Sequence, residues 1–167
     1  MNAPASHLPT TPAAQPRIVA LPSDFLARVR ASLDDLGQPV ERHVASGGEP
    51  LRDCLRRARP GEAILLASYC PFTVAGPYKE YGPVFVSSEA QAMPDLDGLP
   101  VHGERPYLGA SFVLRAYSRE ERIVDACLSS PEAAADDLAK LFGREDTAFV
   151  LARFAAYGCY ALRLERA

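Results

Sequence analysis

Three short segments that are apolar at almost every position constrain the fold of this chain most strongly. They are residues 62–69 (EAILLASY), 110–117 (ASFVLRAY) and 147–154 (TAFVLARF). Successive side chains of a strand point to opposite faces of a sheet, so a strand that is apolar at successive positions is typical of one covered on both faces. The sequence therefore predicts a sheet in which residues 62–69 form a central strand with both faces buried.

The rest of the chain supplies more strands than helices. Two pairs of apolar segments are each joined by a few polar or small residues, which is the pattern of a β-hairpin. The predicted hairpins pair residues 109–117 with 122–128 and residues 147–154 with 159–166, and single strands are predicted at residues 17–21, 40–45 and 83–87.

Helical periodicity occurs in three segments. Apolar residues at three- and four-residue steps predict a helix that begins at Ser23 or Asp24 and stops at Gly37. The same pattern predicts a short helix over residues 50–58 and another over residues 131–142, and residues 88–91 suit one helical turn. Residues 93–106 are rich in proline and glycine, and we expect a surface loop there. The predicted fold is a single α+β domain with a mixed, mainly antiparallel sheet and two or three helices packed on one face.

Length and charge narrow the class of protein. The chain has 167 residues, which suits one domain. Residues 1–16 are rich in proline and contain no Asp, Glu, Lys or Arg, so we expect a disordered arm before a domain over residues 17–167. The net charge of −3 argues against a nucleic-acid partner. The lack of an apolar leader or of a long apolar run predicts a bacterial-type cytoplasmic protein with no membrane partner.

The densest group of polar and aromatic residues follows the predicted central strand. Tyr69 ends that strand, and Tyr78, Glu80 and Tyr81 lie in a loop stiffened by two Gly-Pro steps. Tyrosine offers a flat apolar surface and one hydroxyl, as ligand pockets often require. The loop is therefore either a ligand-binding element or a rigid connector whose tyrosines fill the edge of the core.

Two arginines interrupt apolar strands. Arg115 lies two residues before Tyr117 in the segment 110–117, and Arg153 lies in the segment 147–154. A guanidinium inside such a strand needs a carboxylate, carbonyl groups or an anionic ligand, unless it reaches solvent at the strand end. We expect Arg153 or Arg115 to pair with Glu80, beside Tyr78 or Tyr81, or to bind an anion in a cavity between them.

Cysteine and histidine give no motif for a metal or a cofactor. The four cysteines include no C-x-x-C pair, and the three histidines form no metal-ligand spacing, so we expect neither a metal site nor a cofactor. Cys54 lies in an arginine-rich segment, where His43 is the one plausible base for a nucleophilic thiol. Helical spacing instead turns the arginines away from Cys54 and predicts a thiol buried in the core.

A set of short motifs is spread over the chain: Leu51–Leu55, Pro60–Glu62, Leu65–Leu66, Ser68–Tyr69, Pro77–Tyr78, Glu80 and Gly82–Val86, followed by Arg115–Tyr117, Arg153 and Cys159. Through these motifs the chain, from roughly Arg17 to Ala167, resembles a family of bacterial proteins, domain of unknown function 1203. Some relatives have a polar residue or cysteine beside the position of Cys54 and a histidine after the Gly-Pro-hydrophobic run, where this chain has Leu51 and Ser87. The resemblance supplies no enzymatic activity that could be carried over to this chain.

Three functional hypotheses remain open. The first is a small-molecule binding domain, for which an anionic ligand is one option, with a pocket lined by Tyr69, Tyr78, Glu80, Tyr81, Arg115, Tyr117 and Arg153. The second is an interaction module, such as a homodimer joined through a sheet or through the Gly-Pro-Tyr loop. The third is a small enzyme that uses Cys54 or Glu80.

Overall fold

The strands of the chain gather into two sheets instead of the one sheet expected. The structure, a computed structural model, describes residues 16–96 and 98–167, so the predicted arm lies outside the described residues except for Pro16. The elements are β1 (Arg17–Val19), α1 (Ser23–Arg30), β2 (Glu41–Val44), β3 (Pro50–Leu51), β4 (Arg56–Arg57), β5 (Ala63–Tyr69), β6 (Gly82–Ser87), β7 (Phe112–Tyr117), β8 (Ile123–Ser129), α2 (Ala134–Gly143), β9 (Phe149–Phe154) and β10 (Tyr160–Glu165).

Each sheet has five strands. The first has the order β1-β10-β9-β7-β8 and is antiparallel throughout, and it contains both predicted hairpins. The second has the order β2-β5-β6-β3-β4, in which β3 and β6 are parallel and the other pairs are antiparallel. The α+β class and the mainly antiparallel pairing are thus found, and the fold is richer in strand than in helix.

The two sheets pack face to face through a shared core. Leu65 and Val86 of the second sheet belong to the same buried cluster as Leu151 and Tyr160 of the first. Helix α1 closes this layer by burying Phe25. Helix α2 covers the opposite face of the first sheet, so the expectation that the helices share one face is wrong. The apolar strands required cover on both sides, and a second sheet supplies it on one of them.

The helix expected over residues 50–58 is absent. The chain instead forms β3, a tight turn and β4, and Leu55 takes a left-handed φ of 48° that breaks any helix. The Arg52 amide donates to the Phe85 carbonyl at 2.9 Å, and the buried Asp53 carboxylate accepts the Ser87 amide at 3.1 Å. The apolar spacing of this segment therefore reflects a compact turn docked against β6.

Helix α1 is shorter than expected. It ends at Arg30 because Ser32 takes a left-handed φ of 83°, and the Asp34 carboxylate then accepts the amides of Leu36 and Gln38. Leu33 and Leu36 are consequently exposed. The turn expected over residues 88–91 is not helical. Neither α1 nor α2, the helices of the described residues, has the length and apolarity to cross a membrane.

Replacing Leu151 by alanine tests the inter-sheet core. Leu151 is fully buried, so its truncation leaves a cavity, and we expect the free energy of unfolding to fall by about 2–5 kcal/mol. Leu128, 69% exposed on the same sheet, is the matched control, and Leu128→Ala should change that energy by less than about 0.5 kcal/mol. Urea unfolding followed by circular dichroism measures both, and equal losses would contradict the two-sheet core.

Candidate functional site

Two of the expected site tyrosines are core residues. Tyr69 packs against Phe25 and Tyr160, and burial raises the pKa of its hydroxyl to about 12. Tyr117 is buried and stacks on Phe149, with ring centroids 5.1 Å apart. Both rings contribute to the contact between the two sheets, so their position is explained by packing.

The expected ion pair of Arg153 and Glu80 is present. The Arg153 side chain is only 6% exposed, and its Nη2 donates to Glu80 Oε1 from the loop between β5 and β6. Its Nη1 donates to the Gly158 carbonyl at 3.0 Å. Because Glu80 points at Arg153, the pair has the geometry expected of a structural contact that fastens the loop to β9.

The remaining expected residues, Tyr78, Tyr81 and Arg115, are exposed or half-buried. Tyr78 and Tyr81 are exposed, and Arg122 stacks over the Tyr78 ring at 5.5 Å. Arg115 is half-buried and donates to the Tyr117 hydroxyl at 3.5 Å. Four cavities in the described part of the chain are lined without any of the seven expected site residues.

A buried carboxylate anchors the start of the same loop. Glu121, in the turn between β7 and β8, accepts the amides of Thr73 and Val74 at 2.8–3.0 Å and the Thr73 hydroxyl at 2.9 Å. Burial alone would raise the pKa of Glu121, but these hydrogen bonds and the charge of Arg163 lower it below its usual value. The loop is thus held at one end by Glu121 and at the other by Arg153.

Cys54 is buried, as expected, although it lies in a turn. Its Sγ lies 3.6 Å from the Ser87 hydroxyl, and burial raises the pKa of the thiol. A nucleophilic cysteine needs a lowered pKa, so this environment does not activate Cys54. His43 is exposed on β2 and contacts Glu41 at 2.9 Å.

An unexpected feature is a pair of arginines from the second sheet that reach the first sheet. The guanidinium carbons of Arg52 and Arg57 lie 5.1 and 4.9 Å from the centroid of the Phe154 ring. Arg52 is 4% exposed and donates to the carbonyls of Tyr160 and Pro50 at 3.0 and 2.7 Å. Neither guanidinium forms an ion pair with a carboxylate of the described residues.

Arg57 is placed by backbone carbonyls and aromatic rings. It donates to the Gly48 carbonyl at 3.0 Å and to the Pro106 carbonyl at 3.5 Å, and it lies 6.0 Å from the centre of the Tyr107 ring. Gly48 directs its carbonyl to Arg57 from a left-handed φ of 97°, a conformation that favours glycine. The fold therefore builds a position for a guanidinium without supplying a carboxylate.

Arg57 lines an open cavity of about 520 Å³, which we name the arginine cleft. Its lining residues come from β4, the turn that follows it and the loop before β7: Arg56, Arg57, Arg59, Pro60, Glu104 and Arg105. Arg56 is neutralised by Glu62, which it contacts through two nitrogens at 2.9 and 3.0 Å. Arg59 and Arg105 are exposed and, within the described chain, within salt-bridge distance of no carboxylate.

The electrostatics of the cleft favour an anion. Burial lowers the pKa of Arg57 and of Arg52, and the positive charge of Arg57 also lowers the pKa of Arg52. Two like charges beside one aromatic ring repel each other, and an anion held near them would relieve that repulsion. Guanidinium groups bind carboxylates and phosphates through paired, directional hydrogen bonds.

Sequence reasoning missed this group because it assigned residues 50–58 to a helix. On a helix, Arg52, Arg56 and Arg57 point away from the core, whereas the β3–β4 turn directs Arg52 and Arg57 onto Phe154. The available signal was the number of arginines between Leu51 and Pro60, in a chain with only two lysines.

Comparison with known proteins identifies the family and adds no function. The family model described as "Protein of unknown function (DUF1203)" matches residues 48–166, which include the arginine cleft and most of both sheets. The chain has no significant match among curated proteins or solved structures.

Glu80→Gln should weaken the link between the loop and β9. The variant keeps an acceptor for Arg153 but loses the charge, and Glu80 is 47% exposed, so solvent screens the pair. We expect the free energy of unfolding to fall by about 1 kcal/mol, measured by urea unfolding. Glu145→Gln, at an exposed glutamate with no ion pair in the described chain, is the control, and an equal effect of both variants would contradict this role for Glu80.

Glu121 should make stability depend on pH. Its pKa is lower in the folded protein than in the unfolded chain, so its contribution is present above the unfolded value of about 4.3 and is lost as the pH falls through the folded value. Glu121→Gln should therefore lower stability at pH 7 and flatten its fall between about pH 5 and pH 3. Parallel pH profiles of the urea midpoint for the two proteins would show that Glu121 does not hold the loop as a carboxylate.

Proposed function

The chain belongs to the DUF1203 family, and we propose that this member binds a small anionic ligand in the arginine cleft. The proposal keeps the ligand class expected from the sequence and moves the site from the Gly-Pro-Tyr loop to the cleft. The observation that carries it is Arg57, which is half-buried at the cleft wall and held by carbonyls and rings without a carboxylate partner in the described chain.

The argument for a ligand is one of charge balance. A guanidinium that is partly removed from water is normally paired with a carboxylate, because desolvation of an isolated charge is unfavourable. This protein follows that rule at Arg153 with Glu80 and at Arg56 with Glu62. Arg52 and Arg57, which both contact Phe154, lack such a carboxylate among the described residues. Arg57 also lines a cleft that is large enough for a ligand.

The charged groups of the cleft are suited to binding an anion. Its titratable residues are four arginines, which remain protonated at neutral pH, and Glu104 at the exposed rim. An anion would accept hydrogen bonds from Arg57. This arrangement supports binding of an anionic ligand through its negative charge.

A second candidate function is assembly of two copies through β8. This strand lies at the end of the first sheet with an unpaired edge, and Leu128 on it is 69% exposed. Unpaired edges are templates for pairing with another chain. Sedimentation equilibrium tests this candidate: a dimer that Leu128→Lys dissociates supports it, and a monomer at about 0.1 mM, where an interface of micromolar affinity would be saturated, contradicts it.

Inorganic phosphate is the simplest probe of the proposed site. We expect calorimetric titration to give saturable binding to the protein and at least a tenfold weaker affinity for Arg57→Gln, because a charge-assisted hydrogen bond contributes about 1.5–3 kcal/mol. Arg57→Lys keeps the charge without the paired geometry and should lie between the two. Circular dichroism confirms that each variant is folded.

The control for this experiment is Arg42→Gln. Arg42 is an exposed arginine on β2, outside the cleft, and donates to the Ser32 hydroxyl. Its variant should bind phosphate as the parent protein does. Equal loss of affinity in Arg42→Gln and Arg57→Gln would show that phosphate responds to overall charge, and no binding to the parent protein would overturn the proposal.

A further inference from the structure

From the arrangement of arginines along the cleft we infer that its ligand carries at least two separated anionic groups, an inference that rests on the proposed anion binding. One group would meet Arg57 at the inner wall, and a second would meet Arg59 and Arg105 at the rim. The shared chemistry is that of a compact polyvalent anion, built from phosphate groups or from carboxylates.

The first support is that the arginines of the cleft differ in how deeply they are buried. Arg57 is half-buried and is fixed by two carbonyls and two aromatic rings. Arg59 and Arg105 line the same cleft from two different segments of the chain and are exposed. A ligand with a single anionic group at Arg57 would leave the outer cations unmatched.

The second support is volume. About 520 Å³ lies in the middle of the range of roughly 300–1,000 Å³ that small-molecule sites occupy, and a single tetrahedral anion fills only a small part of it. Pro60 and the aliphatic stems of the arginines make more than half of the lining apolar, whereas the charged groups of the lining are four guanidinium groups and Glu104. The volume therefore has room for more than one anionic group, and most of the charged groups that would meet such groups are cationic.

The third support is that, among the described residues, the nearby carboxylates form no salt bridge with Arg57, Arg59 or Arg105. Glu62 is bound to Arg56 by two contacts and also accepts the Arg59 amide at 2.9 Å. Glu104 lies at the rim, where its charge disfavours an anion held close to it. An anionic group that contacts Arg105 would therefore have to lie away from the carboxylate of the neighbouring Glu104.

The test compares monovalent and polyvalent probes of each chemistry by calorimetry at one pH and one ionic strength. Pyrophosphate is compared with orthophosphate, and citrate with acetate. We expect the polyvalent probe of at least one pair to bind about tenfold more tightly than its simpler counterpart. A second charge-assisted hydrogen bond increases the affinity by about that factor. The pair that shows the gain identifies phosphate or carboxylate as the ligand chemistry.

Variants of the rim arginines test whether Arg59 and Arg105 cause the higher affinity for the polyvalent probe. The double variant Arg59→Gln, Arg105→Gln should lose the tenfold preference and keep its affinity for the simpler anion within about twofold, because Arg57 is intact. The control double variant Arg42→Gln, Arg119→Gln removes two exposed arginines outside the cleft and should keep the preference.

The outcomes separate this inference from the proposed function. Equal affinity for the simple and the polyvalent anions, with binding still dependent on Arg57, would overturn the inference and leave anion binding in place. A preference that survives in the rim variant, or that disappears in the control variant, would also overturn it. Absence of binding for all four probes would overturn the proposed function itself.

Discussion

Burial of β9 on both faces is the constraint on which the rest of this structure depends. All six residues from Phe149 to Phe154 are buried, so each face of the first sheet must be covered. Helix α2 covers one face through Leu138 and Phe142, and the second sheet with α1 covers the other. Arg153, the charged residue of this strand, faces the second sheet and forces the β5–β6 loop to supply Glu80. The layer order, the loop anchor and the inter-sheet core all follow from one apolar strand.

The same constraint creates the arginine cleft. Phe154 ends β9 at the edge of the packed layers, where the β3–β4 turn of the second sheet meets it through Arg52 and Arg57. A carboxylate at this point would have completed a structural ion pair, as Glu80 does for Arg153. Carbonyl groups hold the guanidinium groups instead, which leaves their charge available to a ligand. Two consecutive residues of β9 thus adjoin different sites: Arg153 forms a closed ion pair, and Phe154 contacts the arginines of an open cationic cleft.

The strands other than β3 and β4, and the partner of Arg153, could be predicted from the sequence, and the cleft could not. Strand period and turn residues are local signals, and a guanidinium in an apolar strand demands a partner whatever the topology. The spacing of Leu51, Cys54, Leu55 and Ala58 suits a helix, yet these residues are equally buried by a turn that bends back at Leu55. The contact of Arg57 with Phe154 joins segments far apart in the chain, and it depends on how two sheets are stacked, which no local pattern encodes.

The central claim is that the charge of Arg57 is available to an anion in the folded protein, and side-chain NMR tests it most directly. The Nε–H signals of the arginines can be followed individually while orthophosphate is added at constant ionic strength. We expect a saturable shift for Arg57 in the arginine cleft, with Arg153 and Arg42 unchanged. Equal, non-saturating shifts of all arginines, or a response confined to arginines outside the cleft, would contradict it.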